Sequence, residues 1–102
     1  MSPIAKPQSI DRIVHEPARY QILALLSVVK EADFLFVMRQ TGLTRGNLSS
    51  HMSKLEKAGY VSVVKDFMGK KPHTMMRITR TGRIAFEGYR NAMKQMLERS
   101  IP

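Results

Sequence analysis

The chain has 102 residues, 43% of them apolar, no cysteine and a formal net charge of +9. That size fits one domain with a modest core, which dimerisation would enlarge, and the lack of cysteine excludes disulfides, thiol redox sensing and Cys-ligated metals. The charge is concentrated: residues 44–83 hold nine Lys/Arg against Glu56 and Asp66, a surplus of +7, whereas 1–43 and 84–102 carry +1 each.

Such a basic block inside a folded-looking region is the footprint of a polyanion groove. The longest apolar run, Ile22–Leu26 and on to Val29, is too short to span a bilayer. The N-terminus also lacks the charged, apolar, small-residue order of a signal peptide. A cytoplasmic, nucleoid-associated protein with no membrane partner is expected.

Residues 1–8, with Pro3 and Pro7, read as a loose arm. Ser9 can cap a short helix through His15, with Ile10, Ile13 and Val14 on one side. Pro17 suits the first turn of a second helix, where its missing N–H has no role. That helix runs to about Lys30 and is apolar at Ile22, Leu23, Leu25, Leu26, Val28 and Val29, so it should be the centre of the core. Asp33 is an N-cap for a third helix, Phe34–Gln40, with Phe34, Val37 and Met38 inward. Gly42 can take the left-handed conformation of a sharp turn.

Thr44 then caps a fourth helix, closed at Gly59. Leu48, Met52 and Leu55, at i, i+4 and i+7, make its buried side. Arg45, Asn47, Ser50, His51, Lys54 and Lys57 make the other. Tyr60–Met68 reads as a strand, Gly69–His73 as a turn, and Thr74–Thr79 as a return strand with Met76 and Ile78 on one face. Thr79 caps a last helix to about Arg99, lined by Phe86, Tyr89, Met93, Met96 and Leu97. The expected fold is mainly α with a small β-hairpin, a winged helix-turn-helix in the order α-α-α-α-β-β-α.

The fourth helix, about 20 Å long, fits a major groove roughly 12 Å wide. Arg45 can donate to guanine or to a phosphate, and Asn47 can pair with adenine. Ser49, Ser50 and His51 are short enough to let the backbone approach, and Gly46 is explained by the same closeness. The helix N-terminus itself attracts phosphate. Lys70 and Lys71 at the hairpin tip, with His73 and with Arg77 on the return strand, form a wing that adds affinity and salt dependence. The apolar stripe of the last helix, with Ile10, Ile13 and Val14, suggests a dimer seam. His15, His51 and His73 lie on three elements without ligand spacing, so no metal or other cofactor is expected. No nucleophile with its base and no glycine-rich phosphate loop is present, so no enzyme is expected.

The stretch Leu43–Val61, LTRGNLSSHMSKLEKAGYV, resembles the recognition helix and first wing strand of winged helix regulators of the multiple-antibiotic-resistance (MarR) and arsenic-repressor (ArsR) superfamilies. His15–Arg19 followed by Ile22–Leu26, and the ending Arg77–Arg83, are similar to a compact subgroup of them. The resemblance spans roughly residues 10–90. It implies a homodimeric transcriptional regulator of bacteria or archaea. By position, Thr44, Asn47, Ser49, Ser50, His51 and Lys54 would face DNA, with 69–73 as the wing tip. The arsenic-type sensors use cysteines, absent here. The antibiotic-type regulators frame an effector pocket with longer terminal helices. A small-molecule effector, for which Tyr89, Met93 and Met96 could line a pocket, has no support in the sequence.

These readings divide the chain into an arm (1–8), a winged helix DNA-binding domain (9–79) and a C-terminal dimerisation helix (80–102). The expected function is sequence-specific double-stranded DNA binding by a homodimeric transcriptional regulator, with helix 44–58 in the major groove and wing 69–73 on the backbone or minor groove. The rivals are a protein–protein docking module that turns the +7 block to an acidic partner, and a nonspecific chromatin-type DNA-binding protein.

Overall fold

The computed structural model describes residues 10–100; the arm expected at 1–8 and the cap expected from Ser9 lie outside the described residues. The elements are α1 (Pro17–Val29), β1 (Glu31–Asp33), α2 (Phe34–Thr41), α3 (Arg45–Lys57), β2 (Val61–Met68), β3 (Lys71–Ile78) and α4 (Arg80–Ser100). The strands form one antiparallel sheet in the order β1-β3-β2. This is the mainly α winged helix that the sequence predicts, with one helix fewer and one strand more.

Local chemistry sets the boundaries. Pro17 opens α1, and the Glu16 carboxylate accepts from the N–H groups of Ala18 (3.0 Å) and Arg19 (2.9 Å). Asp33 caps α2 by accepting from Phe36 N–H at 2.7 Å. Gly42, at φ 73°, ends α2 and makes the turn into α3, and Thr44 Oγ1 accepts from Asn47 N–H at 3.1 Å to cap α3. Thr79 Oγ1 accepts from Gly82 N–H at 2.9 Å at the head of α4.

The helix expected over 9–15 is a turn in its described part. Asp11 Oδ1 accepts from Ile13 N–H (2.8 Å) and Val14 N–H (3.1 Å), and a single helical turn closes from His15 N–H to the Asp11 carbonyl (2.8 Å). It stops because Glu16 precedes a proline, which disfavours helical backbone; Glu16 is extended at φ −155°. The extra strand β1 pairs Glu31, Ala32 and Asp33 with Arg77, Met76 and Met75. The wing turn is also tighter than predicted. β3 begins at Lys71, so Pro72 and His73 lie in the strand opposite Phe67 and Asp66, and Gly69–Lys70 alone make the turn. Pro72 is tolerated because β1 reaches only Met75–Arg77, leaving β3 one neighbour there.

The core gathers Ile22, Leu23 and Leu26 of α1, Val37 of α2, Leu48, Met52 and Leu55 of α3, and Val61, Met76 and Ile78 of the sheet. Val14 and Phe86 close its far side and are buried within the protomer, as is Ile10. α4 starts against the wing root. A Cβ on Gly82 would sit 2.0 Å from the Tyr60 carbonyl oxygen, and that oxygen accepts from Thr79 N–H at 3.0 Å. The Tyr60 hydroxyl donates to Asp11 Oδ2, tying the N-terminal turn to the same point.

Gly82→Ala should destabilise the fold by about 1–3 kcal/mol, because backbone must move to admit a methyl group. Gly88→Ala, in open space on the same helix, should be neutral or stabilise by up to about 1 kcal/mol; urea unfolding of the pair checks both, and equal effects would refute the close crossing. Burial, then the hydrogen bond and charge of Asp11, push the Tyr60 hydroxyl up to about 12. Its unfolded value is about 10, so the folded chain keeps this proton longer. The stability so gained is whole below about pH 10 and is lost as pH climbs to about 12. The urea midpoint of the wild type should therefore fall more steeply over that window than that of Tyr60→Phe; parallel slopes would argue against it.

Candidate nucleic-acid interface

α3 has two unlike faces. Leu48, Met52 and Leu55 are buried, whereas Thr44, Arg45, Gly46, Asn47, Ser49, Ser50, Ser53, Lys54 and Lys57 are exposed. The first turn holds no acidic residue, and Lys54 and Lys57 stand in the last. An α-helix leaves its first N–H groups without intrahelical acceptors; Thr44 serves one of them, that of Asn47. A Cβ on Gly46 would meet nothing within 4 Å, so no contact inside the protomer requires a glycine there.

Arg45 lies with its guanidinium over the Phe34 ring, 5.4 Å from the centroid. That stacking steers a long cation without removing its hydrogen-bond donors. Arg45 and Ser49 form one wall of a 350 Å³ crevice whose other walls are Lys65, Pro72 and His73 of the wing and Phe34 and Leu35 of α2. The crevice therefore joins the amino end of α3 to the wing, and Lys70 and Lys71 stand exposed beyond it at the tip.

Three expected contact residues sit differently. His51 is half-buried against α1: its Nδ1 is 3.2 Å from Arg19 Nη1 and 3.5 Å from Glu16 Oε2. Arginine has only donors, so Nδ1 can accept from it when unprotonated and can donate to Glu16 when protonated. His73 lies between two carboxylates rather than at the tip, 3.2 Å from Asp66 Oδ1 and 4.0 Å from Asp33 Oδ2. Arg77 donates to Glu31 Oε2 at 2.9 Å across the β1–β3 pair, at the root of the wing.

Arg19, which the sequence reading passed over, is the buried charge behind His51. It is 9% exposed, and its Nε donates to the Ile13 carbonyl at 2.6 Å. The signal was its spacing: Arg19, Ile22, Leu23 and Leu26 fall at i, i+3, i+4 and i+7, a charge inside an apolar stripe. Burial alone would raise the pKa of its neighbour Glu16. The N–H groups of Ala18 and Arg19, then the charge of His51 when protonated and that of Arg19, outweigh this and hold the carboxyl below its ordinary range.

The residues expected at a dimer seam divide. Ile10, Val14 and Phe86 belong to the protomer's own core, and Ile13 packs against it. Tyr89 is half-buried among aromatic rings, 5.7 Å from both His15 and Tyr20, with its hydroxyl 2.9 Å from His15 Nδ1. Met93 and Met96 are half-exposed and Leu97 is 65% exposed. A 780 Å³ groove runs between the start of α1 and this part of α4, floored by Pro17, Tyr20, Tyr89 and Met93. Among the described residues, no group of three or more His, Cys, Asp or Glu could hold a metal ion, and no helix is long and apolar enough to cross a membrane.

Residues 18–97 match the family described as winged helix DNA-binding domain. An uncharacterised protein of Methanocaldococcus jannaschii is 36% identical over 78 residues, covering 76% of this chain and 85% of that protein. A transcriptional regulator homologue from Pyrococcus horikoshii OT3 has a similar fold, with a TM-score of 0.82 and 27% identity, covering 90% of this chain and 91% of its own. A transcriptional regulator of the MarR family from Silicibacter pomeroyi shares the fold at a TM-score of 0.65 and 17% identity, covering 86% of this chain and 58% of its own. The matched family and these regulators are not enzymes.

Proposed function

The chain belongs to the winged helix DNA-binding domain family, and on that premise we propose that it is a sequence-specific transcriptional regulator that binds duplex DNA as a homodimer. The observation that carries the reading is the split of α3. Its apolar residues are all inward, while its first two turns offer Thr44, Arg45, Asn47, Ser49 and Ser50 to solvent beside an open glycine. Set in a major groove, that surface meets base edges with its amino end first. Arg45 and Asn47 read bases, Thr44, Ser49, Ser50 and Lys54 position the helix, and the helix N-terminus takes a phosphate. His51, set beside Glu16 and Arg19 through Nδ1, adds one more polar group through Nε2. Lys70 and Lys71 grip the backbone from the wing.

The second half of the proposal is symmetry. α4 has 21 residues, about 31 Å of helix, and the protomer measures 60 × 24 × 21 Å. Met93, Met96 and Leu97 and the groove beside them form an apolar surface that a partner's α4 would cover. We assign residues 9–79 to DNA binding and 80–102 to dimerisation, with the seam narrowed to the Tyr89–Leu97 face. Ile10, Val14 and Phe86, being core, are outside it. A two-fold pair presents two α3 helices to successive major grooves, which suits a partly palindromic site.

Arg45→Ala and Asn47→Ala should each lower affinity for a selected site by about 1–3 kcal/mol and leave affinity for random duplex nearly unchanged. Lys70→Ala with Lys71→Ala should weaken both alike and flatten the salt dependence. Fluorescence anisotropy titrations at several salt concentrations separate these patterns; equal losses on every duplex would leave nonspecific binding as the function. Met93→Glu with Leu97→Glu should reduce the solution mass from two chains to one and weaken binding to a two-half-site duplex by on the order of a hundredfold. A wild type that sediments as a monomer would sink the dimer.

A further inference from the structure

We propose that the wing ends in an apolar wedge, Phe67 backed by Pro72, that enters the minor groove and pries apart a base step. The proposal rests on the reading of the chain as a duplex-binding protein and assigns a task to residues that reading does not use.

β2 alternates as a half-buried strand should. Val61 is buried and Val63 half-buried on the inward face, opposite Ile78 and Met76. The same face then runs past the body of the protein through Lys65 to Phe67, opposite Thr74 and Pro72. A hairpin arm in water should be polar there, as Lys65, Asp66, Lys70 and Lys71 are. Instead Phe67 is 70% exposed and Met68 65% exposed. Neither ring nor thioether packs into the core, so the fold does not account for them.

The surroundings say what does. Phe67 pairs with Pro72, Met68 with Lys71, and the turn between them is Gly69–Lys70. Phe67 and Pro72 thus stand side by side on one face of the tip, with Met68 on the other, among Lys65, Lys70 and Lys71. The nearby carboxylate, Asp66, is engaged by His73 at 3.2 Å. Phe67's strand face also continues toward α3: Lys65 and Pro72 line the same crevice as Arg45 and Ser49. The wedge is therefore on the side that α3 turns to the duplex. A partner for this tip must be anionic on its outside and apolar within, over the width of one side chain. Duplex DNA is that partner, with phosphates for the lysines and a base-pair face for the ring. Phe, Met and Pro are the side chains that part base steps in a minor groove, and pyrimidine–purine steps part most easily. The wedge thus adds a sequence preference that needs no hydrogen bond to a base.

The test uses the full chain and a duplex recovered by it from a randomised pool, with 2-aminopurine, a base that brightens when unstacked, placed at each step in turn. The wild type should brighten one step per half-site. Phe67→Ala should abolish the brightening and weaken binding about tenfold, whereas Phe67→Leu, which keeps an apolar wedge, should retain most of both. Lys70→Ala with Lys71→Ala should weaken binding and leave the brightening at saturation intact. Binding without any bright step, or a Phe67→Ala protein that brightens like the wild type, would overturn the wedge and leave duplex recognition standing. Failure to recover any duplex would overturn both. Phe67-dependent binding to phosphatidylserine vesicles without unstacking would overturn the wedge in favour of a membrane surface.

Discussion

The backbones of Tyr60 and Gly82 pass so closely that no side chain fits between them, and the rest of the molecule is arranged around that crossing. The Tyr60 carbonyl binds Thr79 N–H, and Thr79 Oγ1 donates to the Gly59 carbonyl at 2.6 Å while accepting from Gly82 N–H. The Tyr60 ring reaches the other way, to Asp11. One short region therefore joins the end of α3, the root of the wing, the head of α4 and the N-terminal turn. Side chains repack at modest expense; a backbone-to-backbone contact does not. α3, the wing and the long C-terminal helix meet here.

Most of what frames the interface is local chemistry, and local chemistry is legible in a sequence. Asp33, Thr44 and Thr79 cap the helices they were expected to cap, Gly42 is left-handed, and the Leu48–Met52–Leu55 face is buried. What escaped was set by distant partners. Glu31–Asp33 has no strand pattern of its own; it is a strand because β3 offers it a ladder. Ile10, Ile13 and Val14 have helical spacing, yet Asp11 and Pro17 hold them in a turn. The same spacing suggested a dimer seam, although Ile10 and Val14 are covered by the protomer itself. His51 sits on the outward half of α3 by its number alone, and it takes a buried arginine on another helix to draw it inward.

That arginine shows how charge is handled at the border between core and interface. Arg19 lies in the apolar stripe of α1, where an unpaired cation would be strongly destabilising. It is held by the Ile13 carbonyl, by His51 and, at 3.8 Å, by Glu16. Glu16 is itself fixed by the first N–H groups of α1. The cap of one helix is thus also the counter-charge behind another. It keeps a carboxylate near α3 without placing one on α3's first turn, where it would repel phosphate. The wing repeats the device: Asp66 is turned to His73, and Glu31 to Arg77, so the acidic groups of the sheet are engaged while Lys65, Lys70 and Lys71 carry its outward charge.

The two elements of the candidate interface consequently differ in kind. α3 rests on the core along its whole length and presents small or hydrogen-bonding side chains, which suits recognition of fixed positions on a groove floor. Beyond Val63 the wing is tied back by His73 to Asp33 but otherwise largely exposed, and it presents long cations around an apolar tip, which suits contact with something that yields. On the proposed function, a rigid reader and a deforming arm would act on one duplex, and the shape imposed by the arm would decide how squarely the helix seats. Both descend from the crossing at Tyr60 and Gly82, and α4 begins at the same point, so in the proposed dimer a tilt of α4 would reach the wing root and the end of α3 together through Thr79.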